Sequence, residues 1–178
     1  MAAGGQLLKT PSRSRAAGFS LVESMIVVVI LGIVATIGYP QFKVTLGNYK
    51  VRTATEGILM GLKLARTEAI RLNTNVQFIL AAGGGWSVAQ VAPATPIQTR
   101  PGSESGGGVA VASTNDQLAL TFTSTGRVLD YNPASNLTMV AVSASGTGAD
   151  TLQIDVFAGG QARMCNRSIT LVDDPRKC

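Results

Sequence analysis

The sequence of 178 residues contains no histidine. That absence excludes Ser-His-Asp and Cys-His catalysis and removes the commonest protein ligand for zinc, copper and haem iron. Cysteine is nearly missing as well. Cys165 and Cys178 are too few for a cysteine zinc site or an iron–sulfur cluster, and no histidine is present to activate either thiol. Aromatic residues make up 5% and charged residues 14%, which argues against a heavy aromatic core and against a highly charged scaffold. The later acids, Glu104, Asp116, Asp130, Asp150 and Asp155, are scattered, with no spacing that suggests a paired-carboxylate site or a calcium loop. Gly106-Gly107-Gly108 lacks the Gly-Lys-Ser/Thr ending of a phosphate-binding loop. No metal, cofactor or enzymatic activity is expected.

What is present is apolar and glycine-rich: 46% hydrophobic residues and 20 glycines, consistent with many turns and a light core. The net charge of +5 is unevenly placed, because Lys9, Arg13 and Arg15 fall in a leader of 18 residues that holds no acid. Beyond Gly18 the balance of 12 basic and 10 acidic residues is close to neutral. A basic surface over the whole chain, as nucleic-acid binding would use, is not supported, and any such site has to be local.

An apolar run opens at Phe19 and continues to Tyr39. As a helix it spans roughly 30 Å at about 1.5 Å per residue, enough for one bilayer crossing. The basic, acid-free leader predicts a cytoplasmic amino terminus. An ordinary secretory signal fits poorly, since its small cleavage residue follows the apolar region, whereas Gly18 precedes this one. Glu23 lies inside the run, where an acid costs on the order of 2–3 kcal/mol and wants a cationic partner. Cleavage after Gly18 would create such a partner: the new ammonium group of Phe19 on a neighbouring chain.

After Pro40 the pattern stays helical. Val51, Thr55, Ile58, Leu62, Ala65, Ala69 and Leu72 recur at spacings of three and four, with Arg52, Glu56 and Lys63 on the other side and Arg52–Glu56 as an i,i+4 pair. A helix is expected from Ser20 to Leu72, ending near Asn73–Asn75 and bent at Pro40. The period then changes, and strands are expected at Val76–Leu80, Trp86–Val91, Val109–Ala112, Leu118–Thr123, Leu137–Val142, Thr151–Phe157 and Ala162–Cys165. Pro93–Gly108, rich in proline, glycine and serine, reads as a mobile, exposed spacer, with a partner-binding loop as the alternative. Trp86 reads as a core aromatic. Four segments follow: a leader over 1–18, a membrane half of the helix over 19–40, an amphipathic half over 41–75, and a β domain over 76–178.

Gly18-Phe19-Ser20-Leu21-Val22-Glu23, with the apolar run behind it, resembles the signal of type IV prepilins and type II secretion pseudopilins. The resemblance implies cleavage after Gly18 by a prepilin peptidase and methylation of Phe19. It also implies that Glu23, fifth in the mature chain, draws subunits into a filament, and that Pro40 is the family's helix-kinking proline. Leu62-Lys63-Leu64-Ala65-Arg66-Thr67-Glu68-Ala69-Ile70-Arg71 and Phe122-Thr123-Ser124-Thr125-Gly126-Arg127 narrow the similarity to pseudopilin H and the minor pilins FimT and FimU. Their fold is α+β, a long amino-terminal helix packed on a small antiparallel two-sheet domain. The implied role is a structural component of a filament tip or priming complex, without cofactors. It would start in the bacterial inner membrane, with a periplasmic carboxyl-terminal domain, and pass into a pilus or pseudopilus. Implied partners are the peptidase, other major and minor pilins or pseudopilins, the inner-membrane assembly platform and membrane lipid. The alternatives are pseudopilin H of a type II secretion pseudopilus and a DNA-binding pilin of natural transformation.

In an oxidising compartment outside the cytoplasm, Cys165 and Cys178 are expected to pair, closing a loop of Asn166 to Lys177 worth roughly 3 kcal/mol in the chain-entropy model. Two free thiols are the alternative. Arg163, Arg167, Arg176 and Lys177 lie in or beside this loop and are the candidate DNA-binding residues, with Asp173 and Asp174 among them. Some FimT-like proteins carry Gly-Arg-x-Arg here. This chain has Gly160-Gln161-Ala162-Arg163, and Gln161 cannot release a counterion from a phosphate.

Overall fold

The computed structural model describes residues 18–105 and 107–178. The expected leader lies outside them as far as Ala17. Helix α1 runs from Leu21 to Leu72, 52 residues in one assignment that continues through Pro40. Ser20 is not its first residue but its cap, because the Glu23 N–H donates to Ser20 Oγ at 3.2 Å. At the other end Asn73 takes a left-handed conformation, with φ of 49°. The Thr74 N–H then reaches back to the Ala69 carbonyl and the Asn73 N–H to that of Ile70, a Schellman closure that turns the chain toward the first strand.

The contacts divide the chain into two units, Met1–Gly38 and Tyr39–Cys178. In the first, Gly18 to Gly38 is exposed throughout. The second holds eight strands: β1 Val76–Leu80, β2 Trp86–Gln90, β3 Pro96–Arg100, β4 Ala110–Ser113, β5 Ala119–Phe122, β6 Met139–Ser143, β7 Leu152–Val156 and β8 Ala162–Asn166. They form two four-stranded sheets, in the orders β3-β2-β1-β5 and β4-β6-β7-β8. Every pairing is antiparallel.

Alternation explains the core. Val76, Phe78 and Leu80 of β1 point inward, as do Leu120 and Phe122 of β5, Val140 and Val142 of β6, and Ile154 and Val156 of β7. Facing them in the same cluster is the α1 stripe of Val51, Ala54, Ile58, Leu62, Ala65 and Ala69. The stripe is made close-fitting by small residues. A Cβ on Gly61 would lie 2.7 Å from Trp86 Cδ2 and 2.8 Å from Phe78 Cε2, so the two rings rest directly on helix backbone. Trp86 is 3% exposed and packs with Phe78 at 6.2 Å between ring centroids, the core role expected of it.

Two expectations need correcting. Pro93–Gly108 is not a free spacer. It contains β3, an edge strand that pairs Trp86↔Arg100, Ser87↔Thr99 and Val88↔Gln98 before a bulge at Val88/Ala89, and then a 3-10 turn over Gly102–Ser105. Its composition conceals the strand: Pro96 occupies the first position of an edge, where no N–H is required, and only Ile97 and Arg100 are even half-buried. The Arg100 side chain also lies against Gly57 of α1. The second correction concerns Leu137–Val142, which is apolar almost throughout but is not one strand. The Leu137 N–H donates to Ala119 in the first sheet, whereas the Thr138 carbonyl accepts from Val156 in the second, so β6 proper begins at Met139.

The two stretches that narrow the resemblance meet in space. Arg66 Nε donates to the Gly126 carbonyl at 3.0 Å, tying α1 to the hairpin whose turn needs Gly126 at φ 74°.

Gly61→Ala should destabilise the domain by about 1–3 kcal/mol through overpacking against Trp86 and Phe78. Gly159→Ala, whose new Cβ meets nothing within 4 Å, should change stability by less than about 0.5 kcal/mol. Urea unfolding midpoints of the two variants decide the point; equal midpoints would mean the rings yield without cost.

Candidate functional site

Two regions carry the candidate residues. The first is the start of α1. Phe19 is 81% exposed, and a Cβ built on Gly18 meets nothing within 4 Å. Glu23 stands in the first turn. Ser20-Leu21-Val22-Glu23 is a capping-box sequence, and the Ser20 Oγ takes up the Glu23 N–H, one of the donors a helix start leaves orphaned. The carboxylate of Glu23 is therefore also well placed for the positive end of the helix dipole. The Ser-x-x-Glu spacing signals this local role. Between Arg15 and Lys43 no other residue carries a charge.

Behind Glu23 the helix is apolar and uncovered. Its most apolar stretch is wholly unburied, and by length and composition the helix can cross a membrane. Pro40 lies within α1, and nearby threonines return hydroxyl bonds to the backbone: Thr36 to Ile33 at 2.7 Å and Thr45 to Gln41 at 3.0 Å.

The second region is the carboxyl-terminal loop. Cys165 and Cys178 form a disulfide, with Cα atoms 5.0 Å apart. Cys165 is buried on β8, so the bond holds Cys178 to a sheet edge. A bridge between Asn166 and Lys177 extends that edge by one parallel step. The closure brings the four candidate cations into one neighbourhood and occupies most of them. Arg163 Nη2 donates to the Lys177 carbonyl at 3.1 Å. Arg176 grips Asp174 with two bonds, Nη2 to Oδ2 at 2.8 Å and Nε to Oδ1 at 3.1 Å. The Lys177 ammonium donates to the Thr170 carbonyl at 3.4 Å. The Arg167 side chain alone of the four has no protein partner among the described residues, its backbone N–H bonding Thr151 at 3.0 Å. At the far side of the loop Leu171 and Val172 are 73% and 82% exposed.

A cavity of about 390 Å³ opens beside the disulfide, with Val51, Leu152, Met164 and Cys165 inside and Arg52, Asp150 and Arg176 around it. Its charges are of both signs and already engaged: Arg52 with Glu56 at 2.8 Å, Asp150 with Asn166 at 2.9 Å, Arg176 with Asp174. Among the described residues no three His, Cys, Asp or Glu side chains come together as a metal site would need.

An apolar amino-terminal helix whose continuation is buried among two small antiparallel sheets defines the pilin class. The model of the prokaryotic N-terminal methylation motif matches residues 13–39, the segment holding Gly18, Phe19 and Glu23. The model of the type II transport protein GspH matches residues 54–160, and the chain belongs to that family of minor pilins and pseudopilins. Two crystal structures of the type IV minor pilin FimU of Pseudomonas aeruginosa, strain PAO1, share the fold. One, in space group P65, is 18% identical with a TM-score of 0.50, covering 64% of this chain and 90% of its own. The other, in space group P21, is 17% identical with a TM-score of 0.50, covering 64% and 87%. Among curated proteins, no sequence matches.

The Arg176 hydrogen bonds, from side chain and backbone, hold the Asp174 carboxyl down at about 2, below its ordinary value of 3.8. A depressed carboxyl contributes stability that is whole above the ordinary value and is lost as pH falls through the folded one. The loop contact should therefore persist through pH 4 and weaken only as pH approaches 2. An NMR titration should show the Asp174 carboxyl lagging behind free carboxylates, and Arg176→Gln, which removes the guanidinium but keeps the backbone N–H, should move it part of the way back toward the ordinary range.

Proposed function

We propose that this chain is a structural minor pilin or pseudopilin of a filament tip or priming complex. It would be inserted in the inner membrane through Phe19–Tyr39, with the amino terminus in the cytoplasm and the domain in the periplasm, and cut after Gly18 by a prepilin peptidase. The observation that carries this reading is the exposed apolar start of α1, with a single carboxylate, Glu23, in its first turn. In lipid that carboxylate is costly unless a cation meets it. The new amino group of Phe19 on an adjacent copy or a related pilin supplies one, and attraction between the two brings the chains together in a low-dielectric setting. Other pilins, the assembly platform and membrane lipid are the partners of this reading.

The DNA-uptake alternative has less to stand on. Gln161 replaces one cation, Arg176 is neutralised by Asp174, and Arg163 is turned to a backbone carbonyl. A type II secretion pseudopilus and a type IV pilus would use the same helix in the same way.

Mass spectrometry of the chain recovered from membranes tests the processing step: the mature form should begin at a methylated Phe19. Gly18→Val should leave the leader attached, and because a Cβ at Gly18 meets nothing, such a result reports on the peptidase rather than on folding.

Glu23→Gln preserves the Ser20 cap and the capping-box pattern while removing the charge. Membrane insertion should be unchanged and incorporation into filaments should fall about tenfold, the worth of a charge-assisted contact. Incorporation at the normal level would sink the pairing mechanism.

A further inference from the structure

Lys43, Lys50 and Arg52 follow the apolar run, and no acid occurs between Glu23 and Glu56. Cations at this end oppose the rule that concentrates Lys and Arg on the cytoplasmic side of a span. A local conflict of this kind points to a compensating partner. Arg52 has one in Glu56. Lys43 and Lys50 form no ion pair among the described residues.

The two lysines belong to one built feature of the domain. Lys43, Leu46, Gly47 and Lys50 fall at i, i+3, i+4 and i+7, a single face of α1. That face walls a cavity of about 240 Å³ whose other side is Ser145, Gly146 and Thr147. The turn approaches so closely because position 47 has no side chain: a Cβ there would lie 2.5 Å from Thr147 Oγ1. Lys43 Nζ is steadied 4.5 Å over the ring of Tyr39. Lys50 is half-buried, its Nζ beside Gly108. Thr147 Oγ1 is used within the turn, by Ala144 and Ala149, whereas the Ser145 hydroxyl bonds nothing among the described residues. The acid nearest the turn in sequence, Asp150, is held by Asn166. The cavity is thus cationic at two corners, hydroxyl-bearing at a third, and lined by exposed Leu46, with exposed Phe42 one residue before Lys43 on the helix.

We propose that this cavity binds the phosphate of an anionic phospholipid headgroup from the membrane that α1 crosses. The proposal rests on the reading of Phe19–Tyr39 as a membrane span. Lys43 and Lys50 follow Tyr39 by about 6 and 16 Å of helix rise, and helical side chains lean toward the amino-terminal end, here toward the bilayer. Headgroups occupy roughly 5–8 Å on each side of the hydrocarbon, which puts Lys43 among them and Lys50 within reach from above. Lysine serves phosphate as a compact point charge, the Ser145 hydroxyl donates a hydrogen bond, and Phe42 and Leu46 receive the glycerol and first methylenes.

The test uses the full chain in vesicles of phosphatidylcholine mixed with phosphatidylglycerol. The protein is extracted gently and the lipids it retains are counted by native mass spectrometry. The wild-type chain should keep phosphatidylglycerol in preference to phosphatidylcholine. Lys43→Gln with Lys50→Gln should reduce that preference roughly tenfold or more, and Lys43→Arg with Lys50→Arg should keep it. Equal retention by the glutamine variant overturns the site. Retention of inorganic phosphate by the chain, with phosphatidylglycerol and phosphatidylcholine kept equally, assigns the cavity to the free anion and overturns the lipid. Alkaline carbonate washing is run in parallel: a chain that washes out of every vesicle has no span, and the proposal falls with that reading, while resistance without lipid preference rejects the headgroup site alone.

Discussion

Burial of the Val51–Ala69 face of α1 beneath Phe78 and Trp86 is the contact on which the rest of the domain depends. Neither four-stranded sheet has a core of its own, and strands of four or five residues gain little without a covered face. Glycine and alanine on the buried stripe bring helix backbone to ring contact, so a chain with only 5% aromatics can still close its core. Close packing makes such a site intolerant of an added methyl, since interiors at crystal-like density have no slack to offer.

The same helix carries two kinds of surface, each suited to a different surrounding. From Val51 to Ala69 the apolar residues recur at three and four, with Arg52–Glu56 on the exposed side, the pattern of a helix covered on one face by protein. From Leu21 to Gly38 they occupy every side of the helix, which water does not favour and hydrocarbon does. Glu23 is the exception in that stretch: a charge near the first turn complements the helix dipole, and in hydrocarbon it is costly unless a cation meets it.

The closed tail shows why a list of cations is a poor measure of a binding surface. Sequence places Arg163, Arg167, Arg176 and Lys177 close together. The disulfide folds them back on the chain that carries them, and backbone carbonyls and Asp174 take up three of the four. On α1 the reverse holds: Lys43 and Lys50 lie seven residues apart, and helix periodicity together with one distant turn gives them a common cavity.

Periodicity and local motif by themselves determined the helix to within a residue at its start, the buried stripe, the positions of most strands and the membership signalled by Gly18 to Glu23. These are near-neighbour properties, in which the residues that decide the structure are the residues being read. Tertiary structure alone decided the rest. β3 forms from Pro-Ile-Gln-Thr-Arg because β2 offers it a ladder, not because its side chains ask for one. Leu137 and Thr138 part to different sheets although they are adjacent in one strand-like run, since the partners Ala119 and Val156 come from distant segments. Arg66 finds the Gly126 carbonyl across 60 residues. In each case the deciding partner is remote in sequence, and a strand edge, a sheet crossing or a carbonyl acceptor has no signature at the residue that will use it.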